Sequence, residues 1–89
     1  MNTKYTVQLK KKASKQLESL SKRSIYLRLR KAIDALAENP RPSGCKKMKT
    51  QQEQYRIRVG EFRIIYDVDD GVRIIDIVKL GDRKEVYRD

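Results

Sequence analysis

Apolar and polar residues alternate with period two along Tyr5-Thr6-Val7-Gln8-Leu9, the pattern of a strand with one buried face. The period then lengthens. Ala13, Leu17 and Leu20 follow the spacing i, i+4, i+7, which predicts a short helix whose other face carries Lys10, Lys11, Lys12 and Lys15. Ile25, Leu29, Ala32, Ile33 and Leu36 form a second, longer stripe, with Ser21 placed to cap its N-terminus. Two such helices in succession form a hairpin. Asn39-Pro40-Arg41-Pro42-Ser43-Gly44 closes it, because neither proline can continue a helix without losing a backbone hydrogen bond.

Beyond Gly44 the pattern returns to strands. A short segment from Cys45 to Lys49 precedes runs at 54–59, 62–68 and 72–78, all rich in Ile, Val, Tyr and Phe. Gly60-Glu61 fits a two-residue turn with glycine first, and Asp69-Asp70-Gly71 carries an Asp-Gly turn signal, so the last three strands are expected to form an antiparallel meander. The fold class expected is a two-layer α+β domain over residues 1–89. It comprises one strand, a helical hairpin and then an antiparallel sheet of about four strands, with one sheet face left open.

Composition narrows the chemistry. Eighty-nine residues support only a thin core. With no histidine and no tryptophan, imidazole acid–base catalysis, Ser-His-Asp triads and histidine metal sites are excluded. The single cysteine, Cys45, permits neither an internal disulfide nor a cysteine zinc site and fits a reducing cytoplasm. Neither a membrane span nor a signal peptide is visible, so a soluble cytoplasmic protein is expected.

The net charge is +10 and unevenly spread. Residues 1–50 hold 14 Lys/Arg against 3 acids, whereas residues 51–89 hold 8 against 9. Such a field favours a polyanion or an acidic protein partner, although a solvated helix surface carries lysines too. Strand alternation sends Arg56 and Arg58 to the face opposite Tyr55, Ile57 and Val59. Arg63 points away from Phe62, Ile64 and Tyr66 in the same manner, and the Gly60-Glu61 turn would set it directly across from Arg58. Like charges opposite each other destabilise a sheet, which suggests an anionic ligand or nearby acids such as Asp67. Arginine suits phosphate because its planar fork donates two parallel hydrogen bonds and keeps its charge in every environment. Tyr55, Tyr66 and Tyr87 are candidates to stack on bases. Core packing competes for Tyr55 and Tyr66, which alternate with apolar positions, but no apolar pattern accounts for Tyr87.

The stretch Tyr55-Arg56-Ile57-Arg58-Val59-Gly60-Glu61-Phe62-Arg63-Ile64-Ile65-Tyr66, followed by Gly81-Asp82-Arg83-Lys84-Glu85-Val86-Tyr87, resembles the RelE branch of the RelE/ParE toxins. Lys46-Lys47-Met48-Lys49 is similar to the short lysine-rich strand before it, and the resemblance covers nearly the whole chain. It implies a small α+β toxin that enters the ribosomal A site and cuts mRNA with the 2′-hydroxyl as nucleophile, without metal or cofactor. On this resemblance Arg56 and Arg58 match two basic positions of the central strand, and Arg63 the arginine that holds the scissile phosphate. Arg83 and Tyr87 match the C-terminal arginine and tyrosine. Lys10, Lys11, Lys12, Lys15, Lys46, Lys47 and Lys49 would bind RNA or the ribosome. A small cognate antitoxin is the implied protein partner.

Two departures stand out. The central-strand positions are often lysine in relatives, and Asp82 stands where many have histidine or a basic residue. The C-terminal helix of some relatives is not expected here. For proton transfer Tyr87 is the leading candidate, since arginine cannot act as an ordinary base near neutral pH, with Glu53 and Glu61 as alternatives. The rival functions are a ParE-like inhibitor of DNA gyrase and a non-catalytic RNA-binding module.

Overall fold

The computed structural model describes residues 4–82. Its elements are β1 (Thr6–Leu9), α1 (Lys11–Glu18), α2 (Arg23–Ala35), β2 (Lys46–Lys47), β3 (Gln54–Val59), β4 (Phe62–Asp69) and β5 (Ile74–Asp82). The five strands form one sheet in the order β1-β5-β4-β3-β2. β1 runs parallel to β5 at one edge, while β2 to β5 pair antiparallel. The expected two-layer α+β arrangement is the one observed, with both helices against one sheet face.

Each helix buries the stripe its spacing implied. Ala13 and Leu17 of α1, Leu29 and Ile33 of α2, and Leu36 just beyond it join Tyr55, Ile57, Ile64, Tyr66, Val68, Ile75, Ile77 and Leu80 in a single core. α2 starts one residue later than the sequence suggested. Lys22, not Ser21, occupies the N-cap, and no side chain caps that end.

The β3–β4 hairpin has the expected register, with Val59 across from Phe62 and Arg58 across from Arg63. Gly60 has φ +61, the conformation that a two-residue turn demands of its first residue. A Cβ there would come within 3.3 Å of an Arg28 guanidinium nitrogen, the mobile end of an exposed side chain, so it is the positive φ that calls for glycine. The β4–β5 turn is longer than the Asp-Gly signal implied. Asp69 pairs with Ile74, and the left-handed residue between them is Arg73 (φ 58) rather than Gly71. The Asp69 carboxylate accepts hydrogen bonds from the backbone N–H groups of Gly71 (2.9 Å) and Val72 (3.2 Å), which shapes this wider turn.

β5 also extends further than its apolar pattern suggested, because a bulge resets its phase. Tyr66 pairs with Ile77 but Ile65 pairs with Lys79, so Val78 is the extra residue. Without it Leu80 would face away from the core that Ile77 faces; with it both are buried. β1 stops at Leu9, opposite Ile77, and α1 takes over beyond that point. There Gln16 accepts a hydrogen bond from the Leu80 backbone N–H at 2.8 Å.

Among the described residues no helix is long and apolar enough to cross a membrane, and no cluster of His, Cys, Asp or Glu could hold a metal ion. Ile33 is fully buried between α2 and the sheet. Ile33→Ala is expected to lower unfolding free energy by about 2–5 kcal/mol, a large share of what so small a domain possesses. Equilibrium urea unfolding measures it, and a loss below about 1 kcal/mol would mean that the core around α2 collapses to fill the space.

Candidate RNA-binding and active site

Three strands bring four cations together on the open face of the sheet. Lys46 of β2 lies across from Arg56 of β3, and Arg58 of β3 lies across from Arg63 of β4. Paired residues project to the same side, and so do residues two apart, so all four share the face turned away from the helices. With Gly44 they line a cavity of about 220 Å³. Gly44 has φ +91, which lets the chain bend into β2 at the cavity wall. Arg58 Nε donates to the Gly60 carbonyl at 3.3 Å, and Arg63 Nε is buried. Across from Arg63 on β5 stands Gly81, so no side chain of that strand competes for the space.

Among the described residues no carboxylate lines this cavity, and neither Lys46 nor Arg58 has an ion-pair partner. Concentrated positive charge with fixed donor geometry suits a phosphate group, and it suits best the extra negative charge of a pentacoordinate phosphorus.

Other residues expected to act at the site lie elsewhere. Tyr55 and Tyr66 face the helices, with their rings stacked 6.0 Å apart. Tyr66 OH donates to the Pro40 carbonyl at 2.7 Å. Burial, followed by the neighbouring Cys45, pushes the Tyr66 phenol above its ordinary range, which keeps it a donor. Both tyrosines are therefore core residues and not stacking platforms. Glu53 accepts from Lys47 Nζ (3.0 Å) and Tyr55 OH (2.9 Å), and these bonds hold its carboxyl below the usual range. Glu61 sits at the tip of the β3–β4 hairpin, bordering a separate groove with Ile25, Arg28 and Phe62. Neither glutamate lines the arginine cavity.

The lysines divide. Lys46 joins the arginines, whereas Lys47 points the other way and is tied to Glu53, which raises its pKa. Lys49 is exposed in the loop after β2. Lys10, Lys11, Lys12 and Lys15 belong to α1 and its N-cap, in the helical layer on the far side of the sheet. Arg83 and Tyr87 lie outside the described residues.

A second cluster, unforeseen in the sequence, fixes the back of the site. Arg41, set between two prolines, reaches Asp70 with NH2 at 2.8 Å and Tyr55 OH with Nε at 2.9 Å, and its guanidinium lies 5.0 Å from the Tyr55 ring centre. Tyr5 OH donates to the same Asp70 at 2.6 Å. This network ties the proline loop to the start of β1, to the β4–β5 turn and to β3, and so anchors the chain that delivers Gly44 and Lys46. Arg41 first, then Tyr5, lowers the pKa of Asp70.

Carboxyls with depressed folded-state pKa values stabilise the fold above their ordinary range and lose that contribution as pH falls through it. Stability is therefore expected to drop below about pH 4, and Asp70→Asn should flatten that dependence. Urea midpoints between pH 3 and 7 test this; an unchanged pH profile in the variant would remove Asp70 from the anchor.

Residues 7–87 match the family described as the ParE toxin of the type II toxin–antitoxin system parDE. A curated relative from Methanocaldococcus jannaschii that carries the toxin name RelE1 is 33% identical over 88 residues, covering 96% of this chain and 97% of its own. Among solved structures, the archaeal RelE–RelB complex from Pyrococcus horikoshii OT3 is similar at 33% identity with a TM-score of 0.79, over 90% of this chain and 96% of that one. The isolated E. coli RelE toxin shares the fold with a TM-score of 0.76 at 24% identity, over 94% and 92% of the two chains.

Proposed function

The chain belongs to the RelE/ParE family of type II toxin–antitoxin toxins, on its RelE side, and we propose that it is an endoribonuclease that cuts mRNA in the ribosomal A site. The observation that carries this reading is the convergence of Lys46, Arg56, Arg58 and Arg63 on one cavity of the open face that no described carboxylate lines.

In the proposed reaction the 2′-oxygen attacks the adjacent phosphorus, the P–O5′ bond breaks, and a 2′,3′-cyclic phosphate and a 5′-hydroxyl result. The proton of the 2′-hydroxyl passes to a base, and a proton is delivered to the departing 5′-oxygen. Arg63, with its Nε buried between the strands, holds a non-bridging oxygen, and Arg56 and Arg58 offset the charge that accumulates in the transition state. Removing a preorganised donor of this kind typically costs about 2.7–4 kcal/mol in the chemical step. Arginines cannot move the protons, so that task is assigned to Tyr87, with Arg83 favouring its phenolate. Placement on the ribosome, through Lys10, Lys11, Lys12 and Lys15 on the helical layer, would align the 2′-oxygen and remove part of the entropic barrier.

The same reading includes a cognate antitoxin, because RelE of Pyrococcus horikoshii crystallised with RelB. A concavity of about 420 Å³ between α2 and β3, lined by Ala32, Ala35, Leu36, Ile57 and Val59, supports it as a seat for apolar anchors. The ParE description of the family keeps gyrase inhibition as the second reading. A gyrase supercoiling assay run beside a translation assay separates the two.

On programmed ribosomes the wild type is expected to cut within the A-site codon, leaving cyclic phosphate and 5′-hydroxyl ends. Stable ribosome binding with uncut mRNA would defeat the nuclease reading. Arg63→Ala should lose about 100-fold or more in single-turnover rate with little loss of ribosome affinity. Saturating Arg63→Ala that cuts at the wild-type rate would remove the phosphate role.

The two lysine groups should also separate. Lys46→Ala is expected to weaken binding of a short single-stranded RNA and to lower its log–log salt slope by about 0.7. Lys12→Ala should leave that oligonucleotide's affinity intact and weaken only ribosome binding. Equal effects of both on the short RNA, read by fluorescence anisotropy, would contradict the division.

A further inference from the structure

The open face of the sheet sorts its charges into rows. Registers across β2 to β5 place Arg58 beside Arg63 and Gly81 in the row nearest the β3–β4 turn. The next row is Lys46, Arg56, Ile65 and Lys79. The third is Gln54, Asp67 and Asp76, continued by Gln8 of β1. Two cationic rows thus give way, within one step of the pleat, to a row whose only charges are carboxylates.

This sorting works against the sheet. Asp67 lies across from Asp76 just as Arg58 lies across from Arg63, and like charges in facing positions destabilise a strand pair. Alternating the signs would have stabilised both pairs. Gln54 Nε2 donates to Asp67 Oδ1 at 2.8 Å, so this carboxylate is held in place on the face by a neutral partner. Beyond it the acids continue, with Asp69 and Asp70 joining Asp67 and Asp76 around a cavity of about 460 Å³.

We propose that the Asp67–Asp76 row is a boundary that confines single-stranded RNA to the two cationic rows, so that its backbone crosses the strands from β2 towards β5 instead of running along them. The inference rests on the reading that RNA occupies the arginine cavity. Successive rows are about 7 Å apart, twice the rise per residue, whereas the cationic row from Lys46 to Lys79 spans three strand spacings, about 14 Å. A phosphate over Arg56 therefore lies within about one Debye length of Asp67 at physiological salt, close enough to be repelled by it. Along the strands the backbone meets carboxylates after one step; across them it meets Arg56 and, beyond the buried Ile65, Lys79. The acids would then be specificity-determining residues: they select which phosphate rests against Arg63 by closing the other route.

The test uses full-length protein and a 2′-O-methyl RNA oligonucleotide, which cannot be cut, carrying photo-crosslinkable 4-thiouridines. Wild type should crosslink at residues 44–65 and around Lys79, and not at 67–76. The double variant Asp67→Asn/Asp76→Asn should bind about three- to tenfold more tightly at low salt, with the gain vanishing at high salt, and its crosslinks should spread into 67–76. Asp76→Asn alone, which leaves the Gln54–Asp67 contact intact, should show the same change at smaller size. Both variants should melt no lower than wild type, since each relieves a like-charge pair.

Unchanged affinity and an unchanged crosslink map in both variants would overturn the boundary, as would wild-type crosslinks at 67–76. Because the RNA is uncleavable, these outcomes are independent of the chemistry. A wild type that crosslinks as expected but leaves mRNA intact on ribosomes defeats the nuclease reading alone, whereas a wild type that binds no RNA defeats both.

Discussion

The arginine cavity depends on strand register, and register here depends on a two-residue turn. Gly60-Glu61 sets Val59 against Phe62 and, one pair further, Arg58 against Arg63. A slip of one residue in β3 would carry Tyr55 and Ile57 to the open face and drive Arg56 and Arg58 into the core. Burying those charges unpaired would cost far more than the hairpin gains, so the core selects the register that also assembles the cavity. Gly60 supplies the positive φ that the turn demands. Core burial and turn geometry therefore specify the same pairing.

The second constraint lies on β5. Its bulge at Val78 turns Leu80 towards the helices, and the same shift brings Gly81 to the open face beside Arg63. One extra residue thereby completes the core on one side and leaves room on the other. The irregularity is supported from outside the sheet, since Gln16 on α1 accepts from the Leu80 N–H where β1 has ended. At the opposite edge β2 is only two residues long and could not hold Lys46 in place by strand pairing alone. Arg41 provides that restraint from the helical side, through Asp70 and Tyr55.

Much of this was legible in the sequence, and what escaped it has identifiable causes. Period-two alternation through 54–68 gave β3, β4, their facing residues and the shared face of Arg56, Arg58 and Arg63, because each strand buries one side only. The dipeptide Lys46-Lys47 has no alternation to read, so which lysine would face the arginines depended on its pairing with Arg56 and Tyr55. The length of β5 was hidden because a bulge breaks the very period used to find strands. Arg41 looked like a loop residue between prolines, and its partner Asp70 lies 29 positions away in a turn. Ser21 has the chemistry of an N-cap, yet the chain enters α2 at Lys22, a reminder that capping preference is weaker than the packing that fixes where a helix begins.

In the proposed reaction, charge stabilisation and proton transfer fall to different parts of this molecule. Among the described residues the cavity contains guanidiniums, one ammonium and no carboxylate, so its field at the phosphate changes little across neutral pH. Of the carboxylates beyond it, Glu53 is held by Lys47 and Tyr55, Asp70 by Arg41 and Tyr5, and Asp67 by Gln54. Tyr66, a fully buried phenol against the sheet, is kept protonated by that burial while it donates to Pro40. Such a face would hold the phosphodiester of the proposed reaction at a constant charge, and any titration of the rate would enter from groups brought to it. In that reaction, the like-charge pairing of Arg58 and Arg63 across β3 and β4 would be favoured most by a transition state with one more negative charge.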